Sequence, residues 1–279
     1  MDIGALLTDS FTYAQEALVG KWSRWAVFIL FALPVSLIQF IFDPKTIISG
    51  TEINWGAIPW GQIALLAGLG FILSFFISGY TVRVYRGTTP APDFTGWIDL
   101  FVDGVKLAVV WFLWLLPLIL VLAAGIAIAV TTFLSTQAQS VSPDWILLVS
   151  FALLLLLVEG ILFIIVMLFG ILGAVRFART GSIREGINVS AILATIRTMG
   201  WLSYIIILIG YVIAMVIYGI VTAILSVIPY IGWVLVLIIN PAFMIFTARY
   251  FSLVYDQGEP QSLPSAPLPP QLPPPVPAV

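Results

Sequence analysis

The chain contains neither histidine nor cysteine. Without thiols it forms no disulfide and no thiolate metal site. Without imidazole it has no haem-type histidine ligand and no Ser-His-Asp or Cys-His nucleophile. Charge is scarce as well: Asp, Glu, Lys and Arg make up 9% of 279 residues. No polar stretch is long enough to form a soluble catalytic core. The first twenty residues hold Asp2, Asp9 and Glu16 and lack the basic start and apolar centre of a secretory leader, so the mature chain is expected to begin at Met1.

What the chain does have is apolar surface. Hydrophobic residues make up 61% and mean hydropathy is +1.14, outside the range of soluble domains. Crossing about 30 Å of hydrocarbon takes roughly 20 apolar residues. Six such runs are predicted, at about 24–42, 61–82, 107–131, 146–173, 201–225 and 231–251. They form a polytopic membrane domain over 1–256. The reading is an all-α integral membrane six-helix bundle.

Basic residues beside the runs set the expected orientation, because positively charged loops stay cytoplasmic. Lys21, Arg24, Arg83, Arg86, Lys106, Arg176, Arg179, Arg184, Arg197 and Arg249 fall on one side, and Lys45 alone on the other. A cell-membrane location with both termini cytoplasmic follows. Aromatic residues agree: Trp55, Trp60, Trp145, Tyr230 and Trp233 mark the outer boundary, and Trp22, Trp25, Tyr80, Trp201 and Tyr250 the inner one.

An internal repeat runs through this layout. The second, fourth and sixth runs end in TVRVY (81–85), AVRFA (174–178) and TARYF (247–251), each with one boundary arginine. Each odd run follows an amphipathic prelude with a glycine near the elbow: Gly20, Gly104 and Gly200. In the first prelude Ile3, Leu6, Leu7, Phe11, Ala14 and Leu18 oppose Asp9, Thr12 and Glu16. In the second, Phe94, Trp97, Ile98, Phe101, Val102 and Val105 share a helical face, with Asp99 and Asp103 toward water and Asp93 as N-cap. In the third, Ser182 and Glu185 read as a capping box before Val189, Ile192, Leu193 and Ile196. The prediction is three parallel repeats, each an interfacial amphipathic helix followed by a transmembrane hairpin.

The segment SGYTVRVYRGTTPAPDFTGWIDLFVDGVKLAVVWFLWLLP carries Gly79, Tyr80, Arg83, Arg86, Pro92, Phe94, Trp97, Phe101, Gly104 and Lys106 in an ordered pattern. In this it resembles a family of archaeal and bacterial multi-pass membrane proteins of unknown function. The GTTPAP connector lacks the acidic turn associated with that family. The resemblance implies a membrane architecture and no activity. A fainter likeness, in layout alone, is to the membrane domains attached to some glycerophosphodiester phosphodiesterases.

Enzymatic chemistry finds little support. Asp99 and Asp103, one helical turn apart, superficially resemble the magnesium-binding Asp-x-x-x-Asp of membrane prenyltransferases, but the second acidic motif such enzymes need is missing and a solvated polar face is the simpler reading. Asp103-Gly104 lacks the Ala-Arg and later aspartates of alcohol phosphotransferases. Intramembrane proteolysis would need paired buried aspartates or a histidine. The chain is read as a non-enzyme without metal or cofactor. Arg83, Arg86, Arg176, Arg179 and Arg249 are candidate lipid-phosphate contacts, each basic residue contributing about 1 kcal/mol of surface attraction, with plain topology anchoring as the simpler role.

Glu159 interrupts LLLLLVEGILFII, seventeen residues from Arg176, and cannot reach an interface. An acid there costs about 3 kcal/mol on insertion scales, so it is expected to face the bundle. Counting from the boundaries puts Gln39 and Tyr218 at a similar depth, with Asn240 nearer the cytoplasm. This candidate intramembrane polar site is a structural interhelical bond, an ion- or proton-linked transport site, or a contact for a lipid headgroup or solute. Pro34 and Pro117 occupy matching points in the first and third runs and free backbone carbonyls there.

Residues 257–279 carry nine prolines and no Lys or Arg and read as a disordered, proline-rich cytoplasmic tail that offers a protein partner an extended ligand. Membrane lipids are the other expected partner and nucleic acid is not; a homo-oligomer is left open. The function expected is that of a membrane-organising or interaction protein, the alternative a transporter or channel for a small solute, ion or lipid using Glu159.

Overall fold

The structure, a computed structural model, describes residues 2–41, 48–49, 52–138 and 145–259. Among these residues the chain forms nine α-helices, α1 (Ile3–Leu18), α2 (Trp22–Ile41), α3 (Trp60–Tyr85), α4 (Trp97–Ala138), α5 (Trp145–Thr180), α6 (Ile183–Gly186), α7 (Val189–Met199), α8 (Trp201–Ser226) and α9 (Gly232–Gly258), and one 3-10 turn, Trp55–Ala57. Six of them, α2 to α5, α8 and α9, are long and apolar enough to cross a membrane. A small antiparallel ribbon, β1 (Ile48–Ser49) and β2 (Glu52–Ile53), lies between α2 and α3 and has no counterpart in the sequence reading. Lys45 and the tail from residue 260 lie outside the described residues; Gln257 and Gly258, expected to start the tail, end α9.

The spans alternate in direction, so every boundary arginine falls at one end of the bundle, together with α1, α6 and α7. The core is concentrated there. Tyr80, Tyr85, Leu100, Phe177, Ile192, Tyr204, Tyr250 and Tyr255 are buried, whereas the opposite halves of α4 and α5 expose Leu120, Ile128, Leu147, Leu156 and Ile161. α4 has 42 residues, about 63 Å at 1.5 Å per residue, so this hairpin is far longer than a bilayer core.

Two of the three expected elbows form. Gly20 (φ +76°) joins α1 to α2 and Gly200 (φ +86°) joins α7 to α8, in a backbone region that only glycine enters freely. The third does not: α4 runs unbroken through Gly104. A Cβ on Gly104 would stand 1.8 Å from the Phe75 carbonyl oxygen, and one on Gly79 would stand 1.8 Å from that of Leu100. Gly104 is therefore the closest point of a backbone-to-backbone crossing of α3 and α4, with Gly79 its counterpart. An unbroken helix satisfies its own carbonyls at that point, and the second prelude merges with its span.

The crossing also turns the expected amphipathic face. Leu100, Gly104 and Leu107 are the buried side of α4, while Ile98 is 80% exposed. Asp103, expected toward water, instead faces Arg86 at 2.8 Å. Asp93 does not cap α4, which begins at Trp97, because its carboxylate is taken by Arg24. The Ser182–Glu185 capping box is likewise absent: Ser182 makes no side-chain cap bond, Glu185 turns to Arg176, and α7 is capped by Asn188, whose Oδ1 accepts from the Ala191 N–H at 3.2 Å.

Candidate functional site

The intramembrane polar residues separate into three places. On α8 and α9 the Tyr218 hydroxyl donates to Asn240 Oδ1 at 2.7 Å, and the Tyr218 ring stacks on Phe243. Gln39 turns back on its own helix, its Nε2 donating to the Ser36 carbonyl at 2.9 Å. Glu159 lies on the face of α5 toward α4: one turn before it, Leu155 packs where a Cβ on Gly125 would be, at 2.6 Å. Glu159 Oε1 is buried and has no hydrogen-bond partner among the described residues. Of the four residues only Tyr218 and Asn240 meet, although counting placed Tyr218 level with Gln39 and Asn240 nearer the other boundary, because depth says nothing about which way a helix face turns.

At the arginine end the side chains meet carboxylates of the same chain. Arg86 pairs with Asp103, Arg176 with Glu185, Arg179 with Asp256, and Arg249 with Asp9 at 2.9 Å. Arg249 also lies over the Tyr13 ring, 4.9 Å from its centre. Four of the five candidate phosphate contacts are thus occupied internally. The fifth, Arg83, donates to the Asp93 and Gly96 carbonyls, at 3.0 and 3.3 Å. The Arg176 hydrogen bond holds the Glu185 carboxyl below its ordinary pKa, so the pair stays ionised at neutral pH. Burial pushes the Tyr13 phenol up to about 12, which keeps it neutral while it donates to the Thr88 carbonyl at 2.8 Å.

A fifth ion pair joins Arg24, absent from the candidate set, to Asp93. Arg24 is 5% exposed and also donates to the Ala17 and Ala91 carbonyls, both at 3.0 Å. The sequence signal for it was weak: one more boundary arginine, on the first turn of a span. Beside it, aromatic rings from α2, α3 and the α3–α4 connector interlock. Phe94 stacks on Tyr80 at 4.8 Å and meets Phe28 edge-on at 4.9 Å, with Trp97 and Phe101 continuing the cluster along Phe76.

The ordered pattern over 78–117 now has a physical meaning. Gly79 and Gly104 let α3 and α4 touch, Tyr80, Phe94, Trp97 and Phe101 fill the space around the crossing, and Arg86 reaches Asp103 across it. The family model described as Protein of unknown function (DUF4013) matches residues 62–227. The chain belongs to this family. The DUF4013 match runs from the first turn of α3 to the end of α8, so it contains the glycine crossing and Glu159 and leaves out α1, α2 and α9. Those flanking helices supply Arg24, Asp9, Arg249 and Asp256, and two of the five ion pairs, Arg24–Asp93 and Arg179–Asp256, tie them to the matched core. Comparison with curated proteins and with solved structures gave no match in either.

Proposed function

We propose that this DUF4013 protein is a membrane-organising or interaction protein of the cell membrane, not an enzyme, with both termini cytoplasmic. In this reading the arginine end is a rigid cytoplasmic base and the spans are three parallel repeats, the middle prelude having fused with its span. The proline-rich tail offers a partner a second point of attachment. The observation that carries the proposal is the contrast along the α4–α5 hairpin. Its base is locked by the glycine crossing and ion pairs, while its far half exposes one large apolar side chain after another. Lipid tails are as apolar as leucine, so such a surface suits packing against another membrane helix as well as against lipid.

The test is site-specific photocrosslinking in native membranes from Leu156 and Leu120 on the hairpin, with Ile224 on α8 as the comparison site. A discrete protein adduct from the hairpin positions and only lipid adducts from Ile224 is the expected result. Lipid adducts alone from all three positions refute the proposal.

One observation favours a second reading, a transport path: the unpartnered Oε1 of Glu159. Against it stands the dispersal of Gln39, Tyr218 and Asn240 away from Glu159. Glu159→Gln is expected to leave the crosslinking pattern unchanged. It is also expected to leave ion or proton leak through reconstituted vesicles unchanged between pH 5 and 8. A pH-dependent flux in wild type that the substitution abolishes would establish transport instead.

A further inference from the structure

The outer half of the α4–α5 hairpin is left uncovered by the rest of the chain. Among the described residues, no apolar side chain of α4 beyond Val110 and none of α5 before Val166 is buried. Residues 118–138 and 145–165 make up this half. One side of such a two-helix ribbon presents about twenty residues, the lower bound of the roughly 20–30 a side found in stable protein interfaces. Alkyl chains cover Leu156 or Ile161 as well as a neighbouring helix does, so these residues name no partner. Glu159 does.

Glu159 falls in line with Phe151, Leu155, Leu162 and Val166, the less exposed positions of α5 along its seam with α4. Its Oε1 is buried without a hydrogen bond among the described residues, while the residue as a whole keeps part of its surface open beside the seam. The other intramembrane polar groups are engaged elsewhere: Tyr218 on Asn240, and Gln39 on the Ser36 carbonyl. Seventeen residues of helix put Glu159 about 25 Å from Arg176, and fourteen put it about 21 Å from Trp145, beyond the reach of headgroups at either boundary. An ionisable group at that depth is costly unless it pairs with another polar group.

A partner for this carboxyl must offer a polar group at the same depth and lie against the outer half of the hairpin. A second copy of the chain meets both conditions. Copies in one membrane share an orientation, so a two-fold axis along the membrane normal brings every residue to the level of its own counterpart. Such a contact is self-complementary and closes at two subunits. A carboxyl suits it, because the protonated form has an O–H donor and keeps an acceptor oxygen, so the O–H of one donates to an oxygen of the other. Leu156 and Phe163, one turn to either side of Glu159 on its face, are 71% and 51% exposed and would pack around the pair. We propose that the outer half of the α4–α5 hairpin is a dimer interface, in which two chains lie parallel about a two-fold axis and their Glu159 carboxyls hydrogen-bond to each other. The inference rests on the reading of the hairpin as an interaction surface and names its partner.

The chain has no cysteine, so a single introduced thiol reports one position without background. In native membranes treated with a mild oxidant, Leu156→Cys and Phe163→Cys are expected to give disulfide-linked dimers, and Ile224→Cys on α8 is not. Affinity is read separately, by energy transfer between full chains labelled at Ile224→Cys and diluted with lipid in vesicles. There Glu159→Leu should weaken association about tenfold, the scale of one interhelical hydrogen bond, whereas Glu159→Gln keeps a donor and an acceptor and should associate nearly as wild type. Glu159→Leu removes a lone acid from hydrocarbon, so it is expected to fold, and its thermal midpoint checks that. Monomers from both hairpin cysteines, or Glu159→Leu associating as tightly as wild type, overturn the proposal. A hairpin crosslink to a different protein overturns it too but leaves the hairpin an interaction surface, whereas lipid adducts alone overturn both readings.

Discussion

Gly104→Ala is expected to abolish the folded protein, although it adds a single methyl group. That methyl would stand 1.8 Å from the Phe75 carbonyl oxygen and 2.9 Å from the Gly79 nitrogen. Both are backbone atoms inside a helix, so neither can swing aside as a side chain end would. The only relief is to move α3 and α4 apart along their whole contact. That separates Tyr80, Phe94 and Phe101 and lengthens the Arg86–Asp103 pair, held at 2.8 Å. Overpacking a core commonly costs 1–3 kcal/mol; here the cost should be at or above about 3 kcal/mol, because the obstruction is backbone on both sides. Gly79→Ala meets the Leu100 carbonyl in the same way. The double variant should be little worse than either single one, since one displacement relieves both clashes. Gly160→Ala is the control: nothing lies within 4 Å of its added carbon, and replacing a helical glycine there should be neutral or stabilising by up to about 1 kcal/mol. Thermal midpoints and the monodisperse fraction in detergent would separate the outcomes. A folded Gly104→Ala with an unchanged midpoint would mean that α3 and α4 do not cross at these glycines.

What was legible in the sequence was whatever depends on runs of residues. The six spans follow from apolar length alone, and their ends shifted outward where helix continued past the hydrophobic stretch, as in α4 and α5. The preludes α1 and α7 were readable because amphipathic spacing and an elbow glycine occur within one short segment. The same two signals misled at Gly104. A glycine after an amphipathic stretch looks alike whether it bends the chain or admits a neighbouring backbone, and only the partner helix decides. Local rules assign Asp103 to water and Glu185 to a cap, yet each answers to an arginine outside its own helix. Long-range pairs leave no local trace: Asp9 and Arg249 are 240 positions apart, and Arg179 and Asp256 are 77 apart. Among the polar membrane residues, depth was countable from the interfaces but rotation about the helix axis was not. Tyr218 and Asn240, on consecutive helices, therefore met, and Gln39 and Glu159 did not join them.

The Arg24–Asp93 pair should respond very unequally to removal of its two partners. An ion pair seen only as a pair suggests equal losses. The burial says otherwise, since the Arg24 side chain is 6% exposed and that of Asp93 is 69% exposed. In Arg24→Leu the freed carboxylate returns to water at little cost. The Ala17 and Ala91 carbonyls do not, because Ala17 is fully buried and Ala91 nearly so. A buried acceptor left without a donor costs about 1–3 kcal/mol, so two of them predict a loss of roughly 2–5 kcal/mol. Those carbonyls belong to the end of α1 and to the α3–α4 connector, so the loss is expected to fall on the seating of both, and hydrogen exchange should rise first in residues 3–19 and 87–96. Asp93→Asn leaves both carbonyl bonds in place and keeps a polar oxygen near the guanidinium, so its cost should stay below about 2 kcal/mol and diminish further in high salt. Arg24→Lys should resemble Arg24→Leu more than wild type, because an ammonium cannot reach the carboxylate and two carbonyls in the divergent directions of a guanidinium fork. Equal destabilisation by Arg24→Leu and Asp93→Asn, both erased by salt, would reduce Arg24 to a surface charge. A large, salt-insensitive loss confined to the arginine variants would identify it as the bolt that holds α1 and the α3–α4 connector to α2.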